Sequence, residues 1–258
     1  MGIRTEYAPG AFCWTGLAST DLPKACDFYS KLFGWELRDE STETITAYAA
    51  LVDGRWATAL TSPAAGVTES YWNMYVRVDD ADVTVARVRE LGGEAAVVPA
   101  PVSLHARTAT VVDPQGVSLR LLEPASFRGA EVLNQVAALS WFELLSPDRS
   151  AAGAYYADLF GWTTEPVEGG PIDHEVIMNG PEQYNGQISP LLDGVETSRW
   201  IPYFGTGDIV GSHARALELG ASSLLAPLEV TEGQITAIVR DPQGAVFGLC
   251  QYAFEEFE

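Results

Sequence analysis

The sequence predicts an α+β protein of two tandem domains, each built from two βαβββ units. The first observation is a repeat: Trp14–Trp35 reads WTGLASTDLPKACDFYSKLFGW, and Trp141–Trp162 reads WFELLSPDRSAAGAYYADLFGW. The second is the turn sequence DPQG, which occurs at Asp113–Gly116 and again at Asp241–Gly244. About 100 residues separate the two motifs in each half, and a chain of 258 residues accommodates two domains of common size.

The first βαβββ unit can be followed along the chain. Phe12–Ala18 has strand character, and Thr20-Asp21 supplies a helix N-cap. Apolar residues then recur at the spacing of an amphipathic helix that ends at Gly34, namely Ala25, Phe28, Tyr29, Leu32 and Phe33. Two alternating runs, Ile45–Val52 and Trp56–Thr61, flank Asp53-Gly54, which is typical of a type I′ hairpin.

A second unit of the same kind follows the first. Its predicted elements are a strand at Tyr71–Val78, a helix at Asp80–Leu91, a short strand near Glu94–Val98, and strands at Ala106–Val112 and Val117–Leu122 joined by the DPQG turn. The series recurs from Ala137 to Gln251, which gives four units in the chain. We therefore predict domains at 1–124 and 136–258, joined by a linker at 125–135.

Composition and charge restrict the classes of partner. The chain carries 35 acidic and 15 basic residues, a formal net charge of −20, so it should repel nucleic acid and anionic membrane surfaces. No apolar run approaches the roughly 20 residues that cross a bilayer. Three unpaired, widely spaced cysteines and a polar start predict a cytoplasmic protein.

With this order of elements, and with FYSKLFGW and DPQG, the sequence resembles the vicinal-oxygen-chelate superfamily of glyoxalase, bleomycin-resistance and extradiol-dioxygenase-like proteins. It is most similar there to two-domain glyoxalase-like proteins of actinobacteria. The resemblance implies that paired βαβββ units curl into two cup-shaped mixed sheets with flanking helices. It also implies that a ligand or a metal lies inside each cup.

The resemblance names four inward-facing positions per cup at which relatives hold a metal through His, Gln or Glu. In the first half these positions are Gly16, Asn73, Arg120 and a residue of the fourth strand, Arg55–Ser62. In the second half they are Glu143, Ile201, Gly248 and a residue of the fourth strand, Pro181–Ile188. In the two fourth strands, only Glu182 is acidic. A tight site for a first-row metal needs three or four converging donors. We therefore expect no metal and no other cofactor.

The cup faces retain aromatic and polar side chains instead. Strand alternation predicts a ligand-binding set of Trp14, Asn73, Tyr75, His105, Arg107, Arg120, Trp141 and Tyr203. Walls of Trp and Tyr with a few polar groups suit a flat aromatic ligand, although the same aromatics could simply fill the cups. Glu143 is the candidate general base of the second cup.

Two functions remain open at this point. One is metal-free binding of an aromatic natural product or antibiotic by a monomer or homodimer. The other is a lyase, isomerase or hydroxylase-like enzyme that uses Glu143 as base or metal ligand. The second cup suits acid/base chemistry because of Glu143, whereas the arginines of the first suit an anionic edge of a ligand.

Overall fold

The computed structural model describes residues 4–98, 106–167, 169–181 and 183–252. The first half contains β1 (Phe12–Ala18), α1 (Leu22–Phe33), β2 (Glu36–Asp39), β3 (Ala47–Val52), β4 (Arg55–Thr61), β5 (Tyr71–Arg77), α2 (Ala81–Glu90), β6 (Glu94–Val98), β7 (Ala106–Val112) and β8 (Ser118–Pro124). The second half contains β9 (Leu139–Leu145), α3 (Arg149–Phe160), β10 (Thr163–Val167), β11 (His174–Met178), β12 (Tyr184–Ser189), β13 (Arg199–Gly205), α4 (Ile209–Glu218), β14 (Ser222–Thr231), β15 (Gln234–Arg240) and β16 (Val246–Tyr252). This is four βαβββ units, and the predicted α+β fold of tandem domains is confirmed.

Each half forms one eight-stranded mixed sheet, in the orders β2-β3-β4-β1-β5-β8-β7-β6 and β10-β11-β12-β9-β13-β16-β15-β14. The first strands of paired units lie antiparallel at the centre, so that Gly16 pairs with Asn73 in β1 and β5. The last strand of each unit runs parallel to its own first strand, as β4 does beside β1. These four central strands place the positions at which the resemblance implies metal ligands side by side on one face.

Local sequence signals set the boundaries of the elements. Asp21 caps α1 by accepting a hydrogen bond from the backbone N–H of Lys24, and Asp148 caps α3 in the same way through Ala151. The predicted hairpin between β3 and β4 turns at Asp53 and Gly54, whose φ values of 51° and 72° fit a type I′ turn. In the described residues, no helix combines the length and the apolar character needed to cross a membrane.

The two halves dock through reciprocal hydrogen bonds. The Tyr29 hydroxyl on α1 donates to Asp241 Oδ2 at 2.9 Å, and the Tyr156 hydroxyl on α3 donates to Asp113 Oδ2 at 3.0 Å. The aromatic rings of Phe12 and Phe142 stack between the two sheets, with centroids 4.1 Å apart. One hydrophobic cluster therefore spans both halves, and Phe28, Tyr29 and Trp35 of the FYSKLFGW motif belong to it.

Candidate functional site

The cup of the second half is defined by the pairing of its four central strands. Glu143 on β9 pairs with Gln187 on β12 and with Ile201 on β13, and Trp141 pairs with Tyr203. Since neighbouring residues in a sheet share a face, these side chains project to the same side of the sheet. The structure thus brings together Trp141, Glu143 and Tyr203, as the alternation of the strands predicted.

A chain of hydrogen bonds converges on the carboxylate of Glu143. The Tyr203 hydroxyl donates to Oε2, and Gln187 Nε2 donates to Oε1 at 2.7 Å. Trp141 Nε1 in turn donates to Gln187 Oε1 at 2.9 Å, which fixes the orientation of the amide. Glu143 is only 3% exposed, so two protein donors replace most of its hydration.

The protonation of Tyr203 follows from the same arrangement. Burial, followed by the adjacent charge and hydrogen bond of Glu143, raises the pKa of the Tyr203 phenol well above its ordinary value. The hydroxyl consequently keeps its proton and remains the donor to Glu143. The carboxylate of Glu143 therefore keeps its role as acceptor in this pair.

The floor of this cup is made by Gly248 and the ring of Tyr203. The two residues pair across the parallel strands β13 and β16, and a β-carbon on Gly248 would overlap the tyrosine ring. Position 248 is one of the positions at which the resemblance implies a metal-ligating side chain. In this chain, the tyrosine takes the space that such a side chain would need.

Aromatic and apolar groups surround the polar chain. Tyr184 is 69% exposed, and its ring lies 6.5 Å from that of the partly exposed Trp141. Deeper in the cup, Leu145, Ile201 and Ile238 form an apolar cluster with the ring of Tyr203. The aromatic pair of Tyr184 and Trp141 therefore lies beside the hydrogen-bonded chain that ends at the buried carboxylate.

The cup of the first half is arranged differently. Trp14 is 1% exposed, and the ring of the linker residue Phe127 lies edge-on to it at 5.1 Å. Arg120 donates from Nε to Asn73 Oδ1 at 2.8 Å, and its guanidinium lies 5.8 Å above the ring of Tyr75. The structure thus joins Trp14, Asn73, Tyr75 and Arg120 as predicted, but Phe127 packs on them.

One predicted ligand-binding residue of the described ranges, Arg107, does not join these clusters. Arg107 was expected in the first cup, and this expectation is wrong. Its side chain instead forms ion pairs with Asp82 on α2 at 2.7 Å and with Glu123 at 3.6 Å. The reason is the alternation of side chains along β7. Thr110 pairs with Arg120 and Thr108 pairs with Leu122, so the two threonines take the cup face and Arg107 takes the other. His105, like Glu182, lies outside the described residues.

Three functional candidates were missed by the sequence analysis, namely Gln187, Tyr184 and Phe127. Gln187 is the fourth-strand partner of Glu143, and an uncharged amide in a strand carries no distinct signal in the sequence. Tyr184 lies at the start of the same strand, and the alternation of side chains does not predict that it lies near Trp141. Phe127 lies in the linker, and its contact with Trp14 depends on the path of the chain between the halves.

The donor sets of the two cups do not fit a metal ion. In the second cup the positions hold Glu143, Gln187, Ile201 and Gly248, and the oxygens of the first two already accept hydrogen bonds from the protein. In the first cup Arg120 brings a positive charge to the corresponding place. Within the described ranges, no three His, Cys, Asp or Glu side chains converge as metal ligands would.

The fold and the site define a tandem protein with two cup-shaped sheets of paired βαβββ units. Residues 12–121 match the model of the Glyoxalase/Bleomycin resistance protein/Dioxygenase superfamily. The first half therefore matches this superfamily, and the second half repeats the same fold.

Two relatives are similar to the chain in sequence, and two solved structures are similar to it in fold. The chain is 29% identical over 260 residues to the putative glyoxylase CFP32 of Mycobacterium tuberculosis, covering 98% of this chain and 99% of the relative. It is 27% identical over 264 residues to the anthracycline biosynthesis protein DnrV of Streptomyces peucetius, covering 96% and 95%. The fold resembles that of the Mn(II)-bound glyoxalase from Novosphingobium aromaticivorans, with a TM-score of 0.66, 15% identity and coverage of 94% and 82%. The 2,2',3-trihydroxybiphenyl 1,2-dioxygenase from Sphingomonas wittichii is similar too, with a TM-score of 0.67, 14% identity and coverage of 95% and 91%.

Proposed function

We propose that this protein binds an aromatic small molecule of secondary metabolism in its second cup, without a metal ion. The observation that carries the proposal is the buried carboxylate of Glu143 behind the aromatic pair Trp141 and Tyr184. Similarity to an anthracycline biosynthesis protein over 96% of the chain supports a polycyclic aromatic ligand. Planar ligands of this kind gain affinity from stacking and from apolar burial.

The polar chemistry of the site selects ligands that donate a hydrogen bond. Tyr203 and Gln187 both direct their donors at Glu143, so what they leave for a ligand is acceptor capacity on the carboxylate. A phenolic hydroxyl or an ammonium group meets that requirement, whereas a ligand carboxylate would be repelled. The formal net charge of −20 adds to the preference for neutral or cationic ligands.

Doxorubicin is a suitable first probe, because it combines a polycyclic phenol with an ammonium group and is fluorescent. We expect saturable quenching of its fluorescence by the wild-type protein. Glu143→Gln preserves the shape of the side chain and removes its charge, and it should weaken binding by about 10- to 100-fold. The matched control is Glu165→Gln, which removes a charge from an exposed position on β10.

Equal binding by Glu143→Gln and by the control would contradict a role of Glu143 in the site. Tyr184→Ala tests the aromatic pair separately, and it should lower affinity without altering the fold, because Tyr184 is exposed. Elemental analysis of the purified protein tests whether the protein lacks a metal ion. A stoichiometric divalent metal that disappears in Glu143→Gln would overturn metal-free binding.

A catalytic function is the second candidate, and the hydrogen bond between Tyr203 and Glu143 is the observation that favours it. A carboxylate held in this way can accept a proton from a bound phenol or from an activated C–H group, as an isomerase or lyase requires. Mass spectrometry of the ligand after incubation distinguishes the candidates. Conversion by the wild type and not by Glu143→Gln supports an enzyme, whereas unchanged ligand recovered from a saturable complex supports binding.

A further inference from the structure

A small cleft opens between the two halves of the protein, away from the polar chains of both cups. It lies where β5 and β13 begin, and its volume is about 220 Å³. Its lining includes Tyr71, Trp72 and Val117 from the first half and Arg199, Trp200 and Val246 from the second. Since a water molecule takes about 30 Å³ of liquid, the cleft holds about seven waters or one small organic molecule.

Arg199 is the positively charged side chain of this cleft. It is partly buried, and it donates from Nη2 to Thr197 Oγ1 at 2.8 Å and from Nε to the Thr197 carbonyl at 3.4 Å. Both acceptors are neutral, and Arg199 forms no ion pair with any described residue. A guanidinium has five N–H donors, so most of its capacity remains for a bound molecule.

The electrostatics of the cleft favour an anion beside Arg199. Burial, and then the neighbouring charge of Arg240, lower the pKa of Arg199. Glu69 attracts Arg199 but is an exposed residue outside ion-pair distance. Because an arginine stays charged at neutral pH, its burial here lacks the compensation that a paired anion would supply.

The walls of the cleft indicate which kind of anion fits. Trp72, Trp200, Val117 and Val246 contribute aromatic and apolar surface, which a phosphate ion would not use. Ser70 and Ser118 contribute hydroxyl groups. We propose that the cleft binds a small organic acid, whose carboxylate pairs with Arg199 and whose carbon skeleton contacts the apolar walls.

The proposal is tested by calorimetry and ligand-observed NMR with isobutyrate, its neutral amide isobutyramide, and inorganic phosphate. We expect isobutyrate to bind with a dissociation constant below about 10 mM, and the amide and phosphate at least about tenfold more weakly. Arg199→Gln should weaken isobutyrate binding at least about tenfold. Arg149→Gln is the matched control, because Arg149 is, like Arg199, a partly buried arginine, and it donates to the Asp173 carbonyl outside the cleft.

Several outcomes would overturn the proposal: no isobutyrate binding, equal binding of the amide, tighter binding of phosphate, or unchanged binding by Arg199→Gln. If Arg199→Gln fails to fold, Ser118→Trp fills the cleft from an exposed position and should abolish binding instead. Glu143→Gln should bind isobutyrate as the wild type does. The cleft and the second cup can therefore fail or succeed independently.

Discussion

The ring of Tyr203 lies against the α-carbon of Gly248, across the parallel strands β13 and β16. This contact sets the geometry of the second cup, because it holds the phenol where its hydroxyl meets the carboxylate of Glu143. It also explains why position 248 is a glycine. A side chain at 248 and the ring of Tyr203 cannot occupy the same space.

Gly248→Ala should therefore destabilise the protein by about 1–3 kcal/mol, because the added methyl group displaces a packed ring. The displaced hydroxyl also leaves Glu143 with one hydrogen bond fewer. Urea unfolding measures the loss, and Gly16→Ala is the matched control, since a β-carbon there would meet only the Ala59 carbonyl oxygen at 3.8 Å. Equal stability of the two variants would show that Tyr203 can move without cost.

The tyrosines that join the two halves give a second prediction. Tyr29→Phe and Tyr156→Phe each remove the side-chain donor to a buried aspartate, and each should cost about 1–3 kcal/mol of unfolding free energy. Tyr156→Phe should cost more, because Trp200 Nε1 also loses its acceptor at 3.0 Å. Chemical denaturation measures both, with Tyr48→Phe on β3 as the control.

The fold could be predicted because its signals are local and occur twice. The repeat, the helix stripe ending at Gly34 and the Asp53-Gly54 turn each depend on neighbouring residues, and the structure places elements there. The docking of the halves could not be predicted, since the partner of Tyr29 is Asp241, in a turn that the sequence does not connect with α1. The helix stripe showed that Tyr29 would be buried, but not what it would contact.

The sites were predictable only in part, for a similar reason. Alternation along β9 and β13 placed Trp141, Glu143 and Tyr203 on one face, as found. For β7, alternation separates two faces but does not say which one is the cup, and Arg107 was assigned to the wrong one. Gln187 follows Gly186, whose φ of 144° lets the strand pass close to the Phe142 carbonyl, and strand pairing was needed to reveal it.

The aspartates of the two DPQG turns should give the protein an unusual dependence on pH. Burial raises the pKa of Asp113 and of Asp241 above the ordinary value of 3.8. Between 3.8 and the raised pKa, the folded state holds more protons than the unfolded state, so these groups contribute stability that is lost as the pH rises through that window. Most paired carboxylates have a pKa that is lowered in the folded state, and their contribution to stability is lost as the pH falls.

Asp113→Asn removes this contribution. The free energy of unfolding of the wild type minus that of the variant should therefore fall as the pH rises from about 4 to about 7. Urea unfolding at several pH values provides the measurement. Asp158→Asn removes a charge from an exposed position on α3 and controls for the change in net charge. A difference that grows with pH would contradict the assigned direction of the shift.

The linker residue Phe127 gives the last prediction, because it closes the first cup over Trp14. Its ring lies 5.1 Å from that of Trp14 and 5.7 Å from that of Trp56, and Trp14 is 1% exposed. Phe127→Ala should cost about 1–3 kcal/mol of stability, less than a fully buried phenylalanine, and should admit water to Trp14.

Fluorine NMR of 5-fluorotryptophan-labelled protein, assigned with Trp14→Phe, resolves Trp14 from the other six tryptophans. We expect a solvent isotope shift for Trp14 in Phe127→Ala and none in the neighbouring Arg128→Ala variant. If Trp14 stays protected in Phe127→Ala, the first cup is filled by its own strands and the linker does not close it.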